Sequence, residues 1–174
     1  MSPYQQGELD GLCGLYALIN ASRLAVPTLE KKECQDIFRT ALDWLGRNYK
    51  GFPPMVCDGL TFEKLRSLHK RVFQMRWPTI SLHQPFLRNM PQRPSEFWTR
   101  MEEEAEREGQ GMFIGIGRGM DHWSAVRKIT SKRIILFDSD KRKFLSRSHC
   151  GFLERHNKKY IVGPGYVLLL RANE

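Results

Sequence analysis

The sequence lacks the features that mark several specialised classes of protein. Its apolar runs fall far short of the ~20 residues that a membrane-spanning helix needs. The first residues carry neither the basic nor the apolar region of a secretory signal, and no internal repeat or low-complexity tract is present. We therefore expect one globular domain over residues 1–174 without a membrane span, located in a cytoplasm, either its own or that of a target cell.

Cysteine is scarce and irregularly spaced. Cys13, Cys34, Cys57 and Cys150 form no C-x-x-C pair, and a disulfide framework is not expected in a chain of 174 residues with this spacing. A zinc site built from the last three and His149 would use two adjacent residues as ligands, which is poor spacing. We therefore expect reduced thiols, no bound metal and no cofactor.

Charge is abundant but unevenly placed. Of the net charge of +9, residues 1–60 contribute −1 and residues 61–174 contribute +10. The densest stretch, residues 127–159, holds eleven basic and three acidic side chains. Such a surface could bind an acidic protein partner. Nucleic acid is not the expected partner, because aromatic residues do not interleave with the basic ones as single-strand binders require.

The hydrophobic period changes along the chain. Apolar stripes of helical spacing predict four helices, which begin at Cys13, after the caps Thr28 and Thr61, and at Ser95. Residues 73–83 alternate loosely and predict a strand broken by Pro78. Later segments alternate with period two and predict strands at 112–116, 122–129, 133–137, 160–162 and 166–170. A helical part over about residues 1–110 followed by a sheet part over about 111–174 indicates an α+β fold with an antiparallel sheet.

Cys13 stands where a cysteine can become nucleophilic. It follows a polar, glycine-containing segment and opens an apolar helix. The unpaired N–H groups and the positive end of the helix dipole at that position favour the thiolate. Most buried cysteines are only small apolar side chains, but here Gly14 leaves one side of the thiol open and Asp10 begins a turn that lifts it to the helix tip. We therefore predict that Cys13 is a nucleophile.

Two glutamines precede this cysteine by seven and eight residues. A glutamine amide beside the thiol would donate to the oxyanion of a tetrahedral intermediate, together with the backbone N–H of Cys13. Gln6 is the preferred donor, and Gln5 is the alternative.

His122 and Asp138 supply the other half of the candidate site. His122 follows a glycine-rich bend and begins a strand, and Asp138 ends an apolar strand sixteen residues later. A turn at residues 130–132 would join the two strands as an antiparallel hairpin and bring the imidazole and the carboxylate together. The carboxylate could then hold one imidazole nitrogen and fix the tautomer of the ring.

In chain order, Gln6, Cys13, His122 and Asp138 resemble the oxyanion glutamine, nucleophile, base and orienting acid of the papain-like cysteine peptidase superfamily. The cysteine and the helix after it are similar to those of bacterial peptidases that process double-glycine leader peptides. The His122-Trp123 and Asp138-Ser139 segments are similar to those of ubiquitin-like-protein proteases, in which they precede the cysteine. In many relatives the cysteine directly follows an aspartate, whereas two residues separate Asp10 from Cys13 here.

This resemblance implies a papain-like fold, in which an N-terminal helical part carries the cysteine and packs on a C-terminal antiparallel sheet. It implies a cysteine peptidase or isopeptidase (a thiol hydrolase) that acts on a protein or peptide through a thioester, as a bacterial effector or toxin could. One alternative is a glutamine deamidase or acyltransferase with the same triad. Another is a non-catalytic binding module that uses the basic surface of residues 127–159.

Overall fold

A computed structural model describes residues 1–7, 10–50, 52–154 and 156–173. The helices are α1 (Cys13–Ala25), α2 (Lys31–Asn48), α3 (Phe52–Asp58), α4 (Phe62–Leu68), α5 (Gln74–Arg76) and α6 (Pro94–Glu106). The strands are β1 (Ile80–His83), β2 (Gln110–Ile116), β3 (His122–Ile129), β4 (Arg133–Phe137), β5 (Phe144–Ser146), β6 (Cys150–Gly151), β7 (Tyr160–Ile161) and β8 (Val167–Ala172). Within these ranges no helix combines the length and the apolar character needed to cross a bilayer.

Six of the strands form one antiparallel sheet in the order β1-β8-β2-β3-β4-β5. This confirms the α+β class and the antiparallel sheet. Strand β1 follows Pro78 within residues 73–83, where a strand was expected inside the predicted helical part. It joins the sheet by pairing with β8 at the edge. Strands β6 and β7 form a separate, parallel pair.

Each face of the sheet is covered by helix. The alternation along β8 shows the division, because Leu168 and Leu170 belong to the apolar cluster around α1, whereas Val167 and Leu169 belong to the cluster around α6. A central strand that is covered on both faces must be apolar at consecutive positions, which explains the unbroken apolar run of β8.

Helix α1 approaches the sheet most closely at Gly111 in β2. A Cβ atom at this position would overlap the backbone carbonyl of Ala21, in the middle of α1. Only a residue without a side chain lets the helix backbone rest directly on the strand. Because α1 begins at Cys13, this contact also sets the distance between the thiol and the sheet.

Helix boundaries differ from the sequence-based expectations for local reasons. Helix α2 begins at Lys31 and not directly after Thr28, because Glu30 and Glu33 form a capping box. Helix α3 occupies residues 52–58 although its second and third residues are prolines, because in a first turn their missing N–H groups cost nothing. The prediction that Thr61 caps a helix is confirmed, since its side chain accepts from the N–H of Lys64.

Strand β3 carries one extra residue relative to β4. Val126 lies opposite Leu136, but Lys128 lies opposite Ile135, so Arg127 is the bulged residue. The bulge lies three residues before the turn at 130–132, where the predicted hairpin is confirmed by backbone hydrogen bonding between Thr130 and Arg133.

The bulge decides the face of the sheet from which Asp138 projects. Ala125 lies opposite Phe137, the last residue of β4, so the register places the next residue, Asp138, opposite Ser124. Without the extra residue, Asp138 would lie opposite Ala125 and face the core under α1. Because side chains alternate between the two faces, the bulge puts Asp138 on the same face as Ser124 and His122.

We expect Gly111→Ala to destabilise the protein by at least about 3 kcal/mol, because the new methyl group must displace backbone rather than a flexible side chain. The matched control is Gly165→Ala, since a Cβ there has open space; its effect should stay within about 0.5 kcal/mol. Urea unfolding of both variants measures the two values. Equal stability of the variants would contradict the close approach of α1 and β2.

Candidate active site

Cys13 is the first residue of α1 and is 7% exposed. The N-cap residue, Leu12, offers no side-chain hydrogen bond to the helix, so the first N–H groups of α1 remain available for a ligand or a developing charge. The expectation that Gly14 leaves the thiol open on one side is wrong. A Cβ at Gly14 would lie 3.0 Å from Leu65 and 3.3 Å from Trp123, so these side chains fill that space.

His122 and Asp138 are in direct contact, as the hairpin argument expected. The Nε2 atom of His122 lies 2.7 Å from Oδ2 of Asp138, whose side chain is fully buried. The other carboxylate oxygen accepts from the N–H groups of Asp140 at 2.7 Å and Arg142 at 3.3 Å. Burial raises the pKa of Asp138, but the hydrogen bonds from His122 and the Ser124 hydroxyl outweigh it and hold the pKa below its usual value. Asp138 is therefore a buried carboxylate with its acceptors occupied.

The imidazole of His122 pairs with Asp138 and lines the same cleft as Cys13. Because Nε2 is bound to the carboxylate, Nδ1 is the ring nitrogen that remains for the Cys13 thiol. Burial lowers the pKa of His122, but the hydrogen bonds and negative charges of Asp138 and Cys13 raise it to about 9. The geometry thus favours an imidazolium between a carboxylate and a sulfur.

Gln6 lines the same cleft as Cys13 and His122. Its backbone N–H donates to the carbonyl of Ser139 at 3.1 Å, and its Oε1 accepts from the Ser139 hydroxyl at 3.0 Å. Its Nε2 donates to the carbonyl of Asp10 at 3.0 Å. Because a carbonyl can only accept, this contact assigns the amide nitrogen to that side. The second N–H of the amide remains for a group in the cleft.

Gln5 is placed elsewhere. Its Nε2 donates to the backbone carbonyl of Asp138 at 3.1 Å, and it does not line the cleft. The preceding residue, Tyr4, exchanges two hydrogen bonds with the buried amide of Asn20 in α1, at 2.9 and 3.1 Å. This pairing fixes the register of the N-terminal segment, so that Gln6 and not Gln5 is beside Cys13.

Asp10 organises the loop that leads to Cys13. Its carboxylate accepts from the N–H groups of Gly7 at 2.7 Å and Leu12 at 3.1 Å. The next residue, Gly11, donates to the carbonyl of Val56 at 2.5 Å, which ties the loop to α3. The two residues between Asp10 and Cys13 therefore let the carboxylate brace the loop from inside while the backbone reaches the start of α1.

The cleft next to Cys13 has a volume of about 960 Å³. Residues 57–63 line one part, Gln6, Gly11 and Cys13 line another, and residues 115–118, 121–123, 152–154, 161 and 163–166 line the rest. Trp123 connects these parts, because its indole N–H donates to the carbonyl of Leu60 at 3.1 Å and its ring stacks on Phe62. A substrate segment in this cleft would lie against the thiol and the imidazole.

The other cysteines do not share this environment. Cys34 and Cys150 are buried, and burial raises the pKa of both thiols, that of Cys150 to about 11. Cys57 is exposed and lines the cleft, but the described residues give it no histidine partner. In the same ranges, no three His, Cys, Asp or Glu side chains group as metal ligands.

Sequence reasoning missed three supporting residues: Ser124, Ser139 and Asn20. All three are buried and polar, and all contact the machinery through side-chain hydrogen bonds. Their one signal in the sequence is a polar residue at a position where the apolar pattern predicts burial. That signal does not say which partner the side chain meets.

The raised pKa of His122 makes part of the stability pH-dependent. Its folded-state pKa of about 9 exceeds the unfolded value near 6.5, so the stabilisation is complete below about pH 6.5 and disappears as the pH rises through about 9. Between about pH 6 and 9.5, we expect the free energy of unfolding to fall by about 2–3 kcal/mol more in the parent protein than in His122→Gln. Denaturant unfolding at the two pH values tests this; parallel losses in both proteins would contradict the shift.

No family model matches the chain, and a search of curated proteins finds no significant match.

Proposed function

We propose that this protein is a papain-like cysteine peptidase or isopeptidase that cleaves an amide bond in a protein or peptide. The observation that carries this proposal is the pairing of His122 with the buried Asp138 on the wall of the open cleft that Cys13 also lines. A thiol, an imidazole and an orienting carboxylate at one cleft are the groups that nucleophilic catalysis needs.

The proposed reaction proceeds through a thioester. The Cys13 thiolate attacks the carbonyl carbon, and the C–N bond breaks as His122 gives its Nδ1 proton to the leaving amine. The neutral imidazole then takes a proton from water, the resulting hydroxide attacks the thioester, and the thiol leaves as thiolate with His122 protonated again. Asp138 stays ionised throughout and orients the ring.

Two donors are available for the oxyanion of each tetrahedral intermediate. One is the backbone N–H of Cys13 at the uncapped start of α1, and the other is the unused N–H of the Gln6 amide. Both are held before the substrate arrives, because Asp10 and Ser139 fix the amide and the helix fixes the backbone. Donors that need no reorganisation lower the barrier most.

The fold supports the proposed papain-like architecture. The cysteine begins a helix that packs on an antiparallel sheet, and the histidine begins a central strand of that sheet. All four cysteines are free, which suits a reducing compartment. We therefore propose action in a cytoplasm, either its own or that of a cell into which it is delivered as an effector or toxin.

The basic surface is a weaker basis for function than the triad. Three of its arginines have structural partners: Arg127 lies over the Phe137 ring, Arg133 lies over an aromatic ring of β5, and Arg147 pairs with Glu102. Deamidation of glutamine and transfer to an amine acceptor would use the same thioester, so product analysis by mass spectrometry separates them from hydrolysis.

We expect Cys13 to be the most reactive thiol at neutral pH. In a Cys57→Ser background, which removes the exposed thiol of the same cleft, iodoacetamide should label Cys13 well before Cys34 and Cys150. His122→Ala should slow this labelling at least about tenfold at pH 6–7, because the thiolate loses its imidazolium partner. Intact-mass and peptide mapping measure the rates. If Cys13 is labelled at the same rate in the parent and in His122→Ala, with the pH dependence of an ordinary thiol, the proposed triad is wrong.

We expect Gln6→Ala to lower kcat/KM by about 100-fold on any peptide that the parent cleaves, because an oxyanion donor is lost. Gln5→Ala is the matched control, since it removes the neighbouring amide, which is bonded to backbone outside the cleft; we expect less than a threefold loss. Cleavage of quenched fluorescent peptides measures both. Equal losses, or a larger loss for Gln5→Ala, would contradict the assignment of Gln6.

A further inference from the structure

The cleft beside Cys13 carries the opposite charge to the rest of the protein. The chain has a net charge of +9, yet among the residues that the structure describes the side chains lining the cleft include Asp58, Glu63, Asp121 and Glu154 against a single arginine, Arg118. On a protein with this net charge, an average surface patch would carry more basic than acidic side chains. The cleft is therefore an acidic patch on a basic protein, at the place where a substrate must bind.

The arginine of the cleft is already neutralised. Its guanidinium pairs with the carboxylate of Glu154 at 3.0 Å and also donates to the backbone carbonyl of the same residue at 2.7 Å. Asp58, Glu63 and Asp121 form no ion pair with any residue in the described part of the chain. Three carboxylates thus remain to act on a ligand.

Each of these three carboxylates is linked to the reacting groups, Asp121 through the chain and the other two through contacts of neighbouring residues. Asp121 directly precedes His122, so their Cα atoms are about 3.8 Å apart. Asp58 lies two residues after Val56, whose carbonyl holds the loop before Cys13. Glu63 follows Phe62, which stacks on the indole of the residue after His122. All three carboxylates thus line the cleft in which a substrate segment would bind.

Asp121 is also in an unusual backbone conformation. Its φ is +46°, in the left-handed region where aspartate and asparagine are the commonest residues other than glycine. The turn before the base therefore tolerates few residue types, and an acid occupies it. The substitution Asp121→Asn keeps the conformation and removes only the charge.

We propose that the cleft selects substrates with a lysine or arginine side chain beside the bond to be cleaved; this inference rests on the proposed function. At physiological ionic strength the Debye length is about 8 Å, so the positive charge on remote surfaces is screened while the cleft carboxylates still act on a bound side chain. A substrate rich in acidic residues would be attracted to the protein as a whole and repelled at the site of reaction.

The test uses Cys13→Ala as a variant that binds without cleaving. The probes are acetylated, amidated octapeptides of alanine and glycine that carry one lysine, norleucine or glutamate at each position in turn. Norleucine matches the length of lysine without its charge. Competition for a labelled lysine peptide, followed by fluorescence anisotropy, gives relative affinities, and quenched versions of the same peptides give kcat/KM for the parent.

We expect the best lysine peptide to have about fivefold higher affinity and about fivefold higher kcat/KM than the norleucine peptide with the same position substituted. The corresponding glutamate peptide should have lower values than both. Combining Asp58→Asn, Glu63→Gln and Asp121→Asn should bring the lysine preference below about twofold. Glu103→Gln, which removes an exposed acid on α6 across the sheet, should leave the preference unchanged.

The two proposals fail in different ways. Equal affinity for lysine and norleucine peptides, a preference for glutamate, or no binding by any peptide overturns the charge selection. A lysine preference in binding, without cleavage or thioester formation by the parent, overturns the hydrolase and leaves the cleft as a binding site for cationic segments. If the parent cleaves lysine, norleucine and glutamate peptides equally well, the proposed hydrolase function stands and only the proposed charge selection is overturned.

Discussion

The hydrogen bond between His122 and Asp138 is the contact on which the rest of the site depends. It exists because one extra residue in β3 moves Asp138 to the face of the sheet that His122 shares. Register in a sheet is all or none, since a shift of one residue sends every following side chain to the other face. The bulged residue, Arg127, has a second use, because its guanidinium holds the carbonyl of Met1 and so anchors the segment that carries Gln6.

Burial sets the electrostatics of the site. A carboxylate without partners in this position would become neutral, and an isolated imidazole would lose its proton. Together they stabilise each other, because the negative charges of Asp138 and Cys13 more than offset the cost of desolvating the imidazolium. The backbone N–H groups at the start of α1 point at the same place and have no capping side chain. The imidazolium and the first N–H groups of α1 therefore hold their positions near the thiol before any ligand binds.

Periodicity predicted the helix that begins at Cys13, the limits of β3 and β4, and the turn between them, because each is a strong local pattern bounded by a breaker. It also predicted that His122 and Asp138 meet. A simple hairpin, however, would have turned Asp138 toward the core, and nothing in the apolar pattern of residues 122–138 marks Arg127 as a bulge. The local sequence pattern also could not predict which of Gln5 and Gln6 lies in the cleft. That depends on the hydrogen bonds between Tyr4 and Asn20, which is sixteen residues away in the chain.

Net charge was the least informative global property, and the structure explains why. Several arginines of the basic stretch lie over aromatic rings or pair with carboxylates of the same protein. These arginines stabilise the packing of strands and turns, so their presence does not by itself indicate a binding surface. The cleft has the opposite sign because its unpaired acids come from the α3–α4 segment and from the turn before β3, which are far apart in sequence. A window average over the chain dilutes both contributions, and only the fold brings these carboxylates to the same cleft as Cys13.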